Sequence, residues 1–253
     1  MTDSVSGGSA QSLGQFVQEY TQHDTGGTWQ LENKKTLEIK LQGNRILTKA
    51  GAMIAYYGDI KFERKGSGGS VGKFLKQKMT GEAATMMEAT GNGILYLADQ
   101  SSEITILQLN GERLFVDGRN CLAFSETIGW DIQRTSGGGM MAGGLWNLVL
   151  QGSGYVAITT KGHPLVLGVS PQVPLFTDAD ATVAWSDGVQ IGVKTDVSWK
   201  SMVGKSSGET IQMAFNGTGF VVVQPFEEVG AAPASGGGGA SGGLGGLGKM
   251  LGG

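Results

Sequence analysis

The sequence predicts an all-β fold built from stacked repeats around a shared core, and three observations carry that expectation. Residues 36–42, TLEIKLQ, alternate cleanly, with Leu37, Ile39 and Leu41 on one face; VQIGVK and IQMAF do the same, which is the period of a half-buried strand. Of the 45 glycines in 253 residues, 11 fall in the last 18. The body still holds about twice the usual share, spaced between short alternating segments as tight turns require. Finally, residues 46–62, 114–130 and 175–191 align without gaps, at offsets of 68 and 61 residues.

The elements follow in order. Residues 1–12 are polar and expected to be disordered. In residues 13–20, LGQFVQEY, the residues Leu13, Phe16, Val17 and Tyr20 fall on one helical face. The favoured reading is a terminal helix docked on the body; a partner-binding helix is the alternative. From Trp29 to Val223 the chain reads as nearly all strand. The repeat columns have physical sense: Ile54, Leu122 and Val183 are aliphatic, Ala55, Ala123 and Ala184 identical, and Tyr56, Phe124 and Trp185 aromatic. Ile60, Ile128 and Val189 follow, then Phe62, Trp130 and Ile191. Repeats of this length imply stacked supersecondary units.

Three glycine segments, GNGILYL at 91–97, GSGYVA at 152–157 and GTGFVVV at 217–223, recur at offsets of 61 and 65 residues. They read as hairpins that precede blocks two and three, the last having no block after it. The C-terminal strands are therefore expected to complete the first repeat and hide an edge. The expected organisation is a polar segment with a short helix over 1–28, a β domain over 29–225 and a flexible Gly-rich tail over 226–253, too low in complexity to order alone.

Composition narrows the function. A net charge of −3 carries no global signature of a nucleic-acid binder. With two histidines, His23 and His163, a metal centre built on several histidines is nearly excluded. The single Cys121 rules out an intrachain disulfide framework and suits a reducing compartment. The first residues lack an apolar signal core, no arginine precedes Arg45, and no apolar run approaches the roughly 20 residues of a membrane span. The expected setting is cytoplasmic.

Two glycine motifs imitate nucleotide sites. GSGGSVGKF at 66–74 ends in Gly-Lys, but a P-loop needs glycine where Ser67 stands and a hydroxyl where Phe74 stands. GSGYVA fits the dinucleotide pattern, yet β-branched residues follow it where a helix is required. Neither is expected to bind a nucleotide, and no cofactor or metal site is assigned.

The segments GAM at 51–53, TGEAA at 80–84, GNGILYLA at 91–98, NGERLFVDGRNCLAF at 110–124, GSGYVAI at 152–158 and GTGFVVVQP at 217–225 resemble, in order and spacing, the mitochondrial biogenesis family named for altered inheritance of mitochondria. The resemblance covers about residues 29–225. It implies a fold similar to the tryptophan RNA-binding attenuator protein: three tandem attenuator-like β-sandwich modules packed into one compact unit, and a homotrimer forming a nine-module ring. It supplies no defined activity. Without an Arg-rich presequence, the chain fits the prokaryotic type.

Candidate chemistry is sparse, and no catalytic residue is assigned. Asp117 and Asp178 share a repeat column, which favours turn residues bonding nearby backbone N–H groups over paired acid–base carboxylates. Glu82 and Glu112 repeat in the same way. Cys121 shares a column with Met53 and Thr182, which favours packing over nucleophilic chemistry. One feature lies outside the repeat: Lys61, Arg64, Lys65, Lys73, Lys76 and Lys78 face only Glu63 over 61–78. Within it, Val71, Phe74, Leu75 and Met79 form one helical face. A connector helix is the favoured reading. Contact with a partner or an anionic membrane through Lys65, Lys73, Phe74, Lys76 and Lys78 is the functional one. The leading expectation is a non-enzymatic oligomeric scaffold contacting a protein partner or membrane surface. A small-ligand-binding ring and an RNA-binding ring are the alternatives, nucleic acid being the weaker.

Overall fold

The computed structural model describes residues 11–64, 86–134, 146–194 and 212–225. One short helix, α1 (Leu13–Tyr20), precedes fourteen strands among the described residues. They are β1 (Trp29–Asn33), β2 (Thr36–Lys49), β3 (Met53–Arg64), β4 (Met86–Leu97), β5 (Glu103–Asp117), β6 (Cys121–Ser125) and β7 (Ile128–Arg134). Then come β8 (Trp146–Thr160), β9 (Leu165–Val169), β10 (Leu175–Asp178), β11 (Thr182–Ser186), β12 (Val189–Lys194), β13 (Gln212–Gly217) and β14 (Gly219–Val223). The all-β expectation therefore holds. The large sheet runs β3-β4-β2-β6-β8-β5-β11-β14-β9, with β1 on β2 and β7 on β8; a second sheet runs β10-β13-β12.

Each block pairs, antiparallel, with the glycine strand that follows it. Ala55 faces Tyr96, Ala123 faces Ala157, and Ala184 faces Val222. The register shifts at the same place each time, between Met53 and Ala55, Cys121 and Ala123, and Thr182 and Ala184. Further on, Ile60 faces Gly91, Ile128 faces Gly152, and Val189 faces Gly217. This corrects the phase read from the sequence. The G-x-G segments close the block before them, and β13 and β14 pair with β9 to β12, not with the first block. Short antiparallel returns to the preceding strands need no long crossover, so each unit is local in sequence and β3 is left at the sheet's end.

Nor are these segments simple hairpins. Gly91 and Gly152 lie inside the continuous strands β4 and β8, at φ of 129° and 140°. A Cβ on Gly91 would lie 2.0 Å from the Asp59 carbonyl oxygen, and one on Gly152 2.6 Å from that of Thr127. The glycines let a long strand bend while the partner backbone passes close over it. In the third copy the bend divides β13 from β14 at Thr218. The dinucleotide-like spacing is thus a device of strand geometry.

The core is shared between blocks. Leu37, Ile39, Ile46, Leu95 and Leu97 pack with Leu122, Ala123 and Ala157. Phe124, Leu150 and Val156 pack with Val183, Ala184 and Val222. Trp185 packs with Met213, Phe215 and Val221. Helix α1 forms as expected, closed by a capping box in which the Ser12 side chain accepts from the Gln15 backbone and the Gln15 side chain accepts from the Ser12 backbone. It is not docked: Leu13, Phe16, Val17 and Tyr20 are all exposed. The cap and the Phe16–Tyr20 ring pair, 4.9 Å apart, are local, so the helical period appears in the sequence without the burial it usually signals.

Candidate functional site: strand junctions and exposed edges

Two junctions join consecutive blocks. At the first, β2 meets β6 with Ile46 facing Ser125, Leu47 facing Phe124 and Thr48 facing Ala123. At the second, β5 meets β11 with Leu114 facing Ser186, Phe115 facing Trp185 and Val116 facing Ala184. The repeat offsets, 68 residues for one strand and 61 for the other, convert the first register into the second. Phe115 stacks on Trp185, with centroids 5.6 Å apart and planes within 6°. Thr48 Oγ1 donates to the Leu122 carbonyl at 3.1 Å.

Polar groups fasten the same junctions. Asp117 Oδ1 accepts from the Arg119 backbone N–H at 2.8 Å, and Asp178 Oδ1 accepts from the Asp180 N–H at 2.7 Å. These are the turn roles expected of both residues. The Arg119 guanidinium also reaches Asp117 Oδ2 and Asp180 Oδ1, each at 3.0 Å, so it links blocks two and three. Lys49 Nζ donates to Asp99 at 2.7 Å and to the Arg119 carbonyl at 2.8 Å. Arg119→Ala leaves the buried Asp117 carboxylate short of a charged donor. It is expected to cost about 1–3 kcal/mol in equilibrium denaturation, with Arg119→Lys recovering part of it.

The same strand column has two fates. Leu122, Ala123 and Phe124 in β6, and Val183, Ala184 and Trp185 in β11, are buried. Their counterparts on β3 are exposed: Ile54 by 57%, Tyr56 by 46%, and Ala55 with them. β6 lies between β2 and β8, and β11 between β5 and β14, whereas among the described residues β3 ends its sheet against β4. Tyr56 still packs on Phe62, with ring centroids 5.5 Å apart, as its column-mate Phe124 packs on Trp130 at 6.1 Å. The column of tight alanine sites therefore holds within the chain at positions 123 and 184 but not at 55, because an edge has no second strand to crowd it.

Lys65, Lys73, Phe74, Lys76 and Lys78 lie outside the described residues, as do the P-loop-like stretch at 66–74 and Glu82. The segment 65–85 joins β3 to β4, whose facing ends pair Arg64 with Met87. Segments 135–145 and 195–211 occupy the equivalent places, joining β7 to β8 and β12 to β13. Glu112 accepts from the Asn110 backbone N–H, which holds its carboxyl below the usual range. Glu112 lies within β5 where its pairing with β8 shifts between Asn110 and Arg113, so its role is structural, as the repetition suggested, but at a strand irregularity and not in a turn. His163 is exposed, and among the described residues no cluster of histidine, cysteine, aspartate and glutamate could hold a metal ion. Cys121 is fully buried, and burial pushes its thiol up to about 12, with Lys49 opposing weakly. A thiol-specific reagent should accordingly leave Cys121 unmodified in the folded protein and modify it fully in denaturant. Rapid native-state modification would contradict its placement. No helix among the described residues is long and apolar enough to cross a membrane.

A family model described as mitochondrial biogenesis AIM24 matches residues 29–226. The chain belongs to that family. The AIM24 match opens on the first residue of β1 and ends just beyond β14, so it spans the β domain and leaves out α1 and the Gly-rich tail. The crystal structure of a structural-genomics protein from Streptococcus pyogenes superposes with a TM-score of 0.63 at 21% identity, covering 79% of this chain and 93% of that one. That likeness establishes a shared β fold. Comparison with curated proteins gives no match.

Proposed function

We propose that this AIM24-family chain consists of three tandem attenuator-like β-sandwich modules and works as a non-enzymatic scaffold. It assembles as a homotrimer and presents the basic segment 71–79 in several copies to an anionic membrane surface or an acidic protein partner in the cytoplasm. The observation that carries the reading is the strand column buried at β6 and β11 and exposed at β3: one internal contact surface is used twice and left open once. Exposed edge strands are normally protected or paired. The basic charge between β3 and β4 gives such an assembly something to display. Each basic residue near an anionic membrane is worth about 1 kcal/mol and fades with salt, so one copy binds marginally and several held together bind usefully.

Co-sedimentation with phosphatidylserine vesicles at low and high salt tests the contact, comparing the native chain with Lys73→Glu/Lys76→Glu/Lys78→Glu. Binding by the native chain at low salt, lost in the triple variant while its oligomeric mass is unchanged, is the expected result. Equal binding by both would make the segment a connector. Absence of native binding would remove the membrane surface.

The nucleotide-site imitations make a separate prediction. Calorimetry with ATP or NAD should show no heat of binding. Tight binding abolished by Lys73→Ala or Gly154→Val, in a folded chain, would overturn the structural account of both motifs.

A further inference from the structure

We infer that the third junction of the repeat lies between copies of this chain: β10 of one copy pairs antiparallel with β3 of the next, with Phe176 facing Tyr56. The inference rests on the assembly proposed above and specifies its contact. The junction strands are β2 at 46–48 and β5 at 114–116, and the same column in the third block is 175–177, the body of β10. Their partners are β6 at 123–125 and β11 at 184–186, and the same column in the first block is 55–57, within β3. Applying the common register gives Leu175 facing Tyr57, Phe176 facing Tyr56, and Thr177 facing Ala55.

Four independent features of the structure fit that pairing. Among the described residues β10 ends the three-stranded sheet and β3 ends the large one, so the two strands that the register selects are both terminal. β10 also meets its inner neighbour as the other two junction strands do. Leu175 faces Phe215, just as Ile46 faces Ala89 and Leu114 faces Leu150. Apart from Thr177 the column is apolar on both sides, and on β3 Tyr56 is 46% and Tyr57 61% exposed. Finally, the cross-strand pair at this position is Leu47 with Phe124, then Phe115 with Trp185. Phe176 with Tyr56 continues the series, and aromatic pairs across antiparallel strands are favourable.

The contact is head-to-tail: the surface on one copy differs from the surface it meets. A heterologous contact closes into a ring when the rotation between copies permits and grows into a filament when it does not. The same strand register already joins block to block twice inside the chain, and a closed ring of fixed size is the outcome that the assembly proposed above requires.

The test is a disulfide placed across the proposed contact. Directly facing residues in antiparallel strands have Cα atoms about 4.5–5.5 Å apart, within disulfide reach, and the native Cys121 is buried away from the surface. Phe176→Cys/Tyr56→Cys and Leu175→Cys/Tyr57→Cys are the in-register pairs, the second retaining both central aromatic residues. Phe176→Cys/Asp59→Cys is the out-of-register control. Under mild oxidation, either in-register pair should convert most of the monomer band on non-reducing denaturing gels to reductant-sensitive oligomers. The control and each single variant should remain monomeric on the gel. If light scattering shows an oligomer but neither in-register pair cross-links, the β3–β10 contact is wrong and the assembly reading survives. If the native chain is itself a monomer, both fail.

Discussion

Trp185→Ala is expected to lower the unfolding free energy by about 3–5 kcal/mol, the range for truncating a large buried aromatic residue. Trp185 is one of the largest fully buried side chains. It stacks on Phe115 across the β5–β11 junction and packs at 5.9 Å against Phe215 from the second sheet. Its removal therefore opens a cavity where two blocks and two sheets meet, and strands held on both sides cannot collapse into it. Phe124→Ala at the first junction should act in the same way. Tyr56→Ala, in the same repeat column but on the open edge, should change the stability of a dissociated chain little, within the range of surface substitutions, and should weaken association instead. Denaturant midpoints at matched concentrations separate these outcomes. Equal effects at all three positions in dissociated protein would refute the division into buried and open junctions.

Gly91→Val should be comparably damaging by a different mechanism. Valine would be held at φ 129°, where side chains other than glycine's are strained by about 1–3 kcal/mol. Its Cβ would also be driven to 2.0 Å from the Asp59 carbonyl oxygen. Relieving that overlap means moving β3 off β4, a further cost of about 1–3 kcal/mol if the sheet yields as packed cores do. Gly168→Ala in β9 is the control, since nothing lies within 4 Å of the added Cβ, and it should be nearly neutral. If Gly91→Val matches the control in thermal or chemical denaturation, the bend is not where the glycines are needed.

Local interactions are what the sequence makes legible. Alternation in TLEIKLQ and the gap-free columns identify strands because burial on one face imposes a period of two. The columns carry through to the registers, down to the shared bulge before Ala55, Ala123 and Ala184. The aspartates at 117 and 178 read correctly as turn residues because an Asx bond is a local interaction. What the sequence leaves open depends on neighbours distant along the chain. The column alone cannot say that Tyr56 is exposed while Trp185 is buried, since the difference is whether another strand lies alongside. Nor does the spacing of the G-x-G segments say which block each one pairs with, because a strand preceding a block and one following it give the same offsets. Helix α1 carried a clear apolar stripe, but a stripe records the capacity for docking and not the presence of a surface to receive it. Arg119, the link between Asp117 and Asp180, places a positive charge in a column whose other members are Gly51 and the acidic Asp180. That departure was the available signal for it.

The central claim is that the chain repeats one junction internally and completes it with further copies of itself. Its most direct test is the mass of the native protein in solution, measured by light scattering across a micromolar dilution series. The account predicts a stable species of three copies of the 26.3 kDa chain. That species should shift toward single chains on introducing Tyr56→Asp, which would place an unpaired carboxylate in the apolar column. A stable single-chain mass for the native protein throughout the series would contradict it.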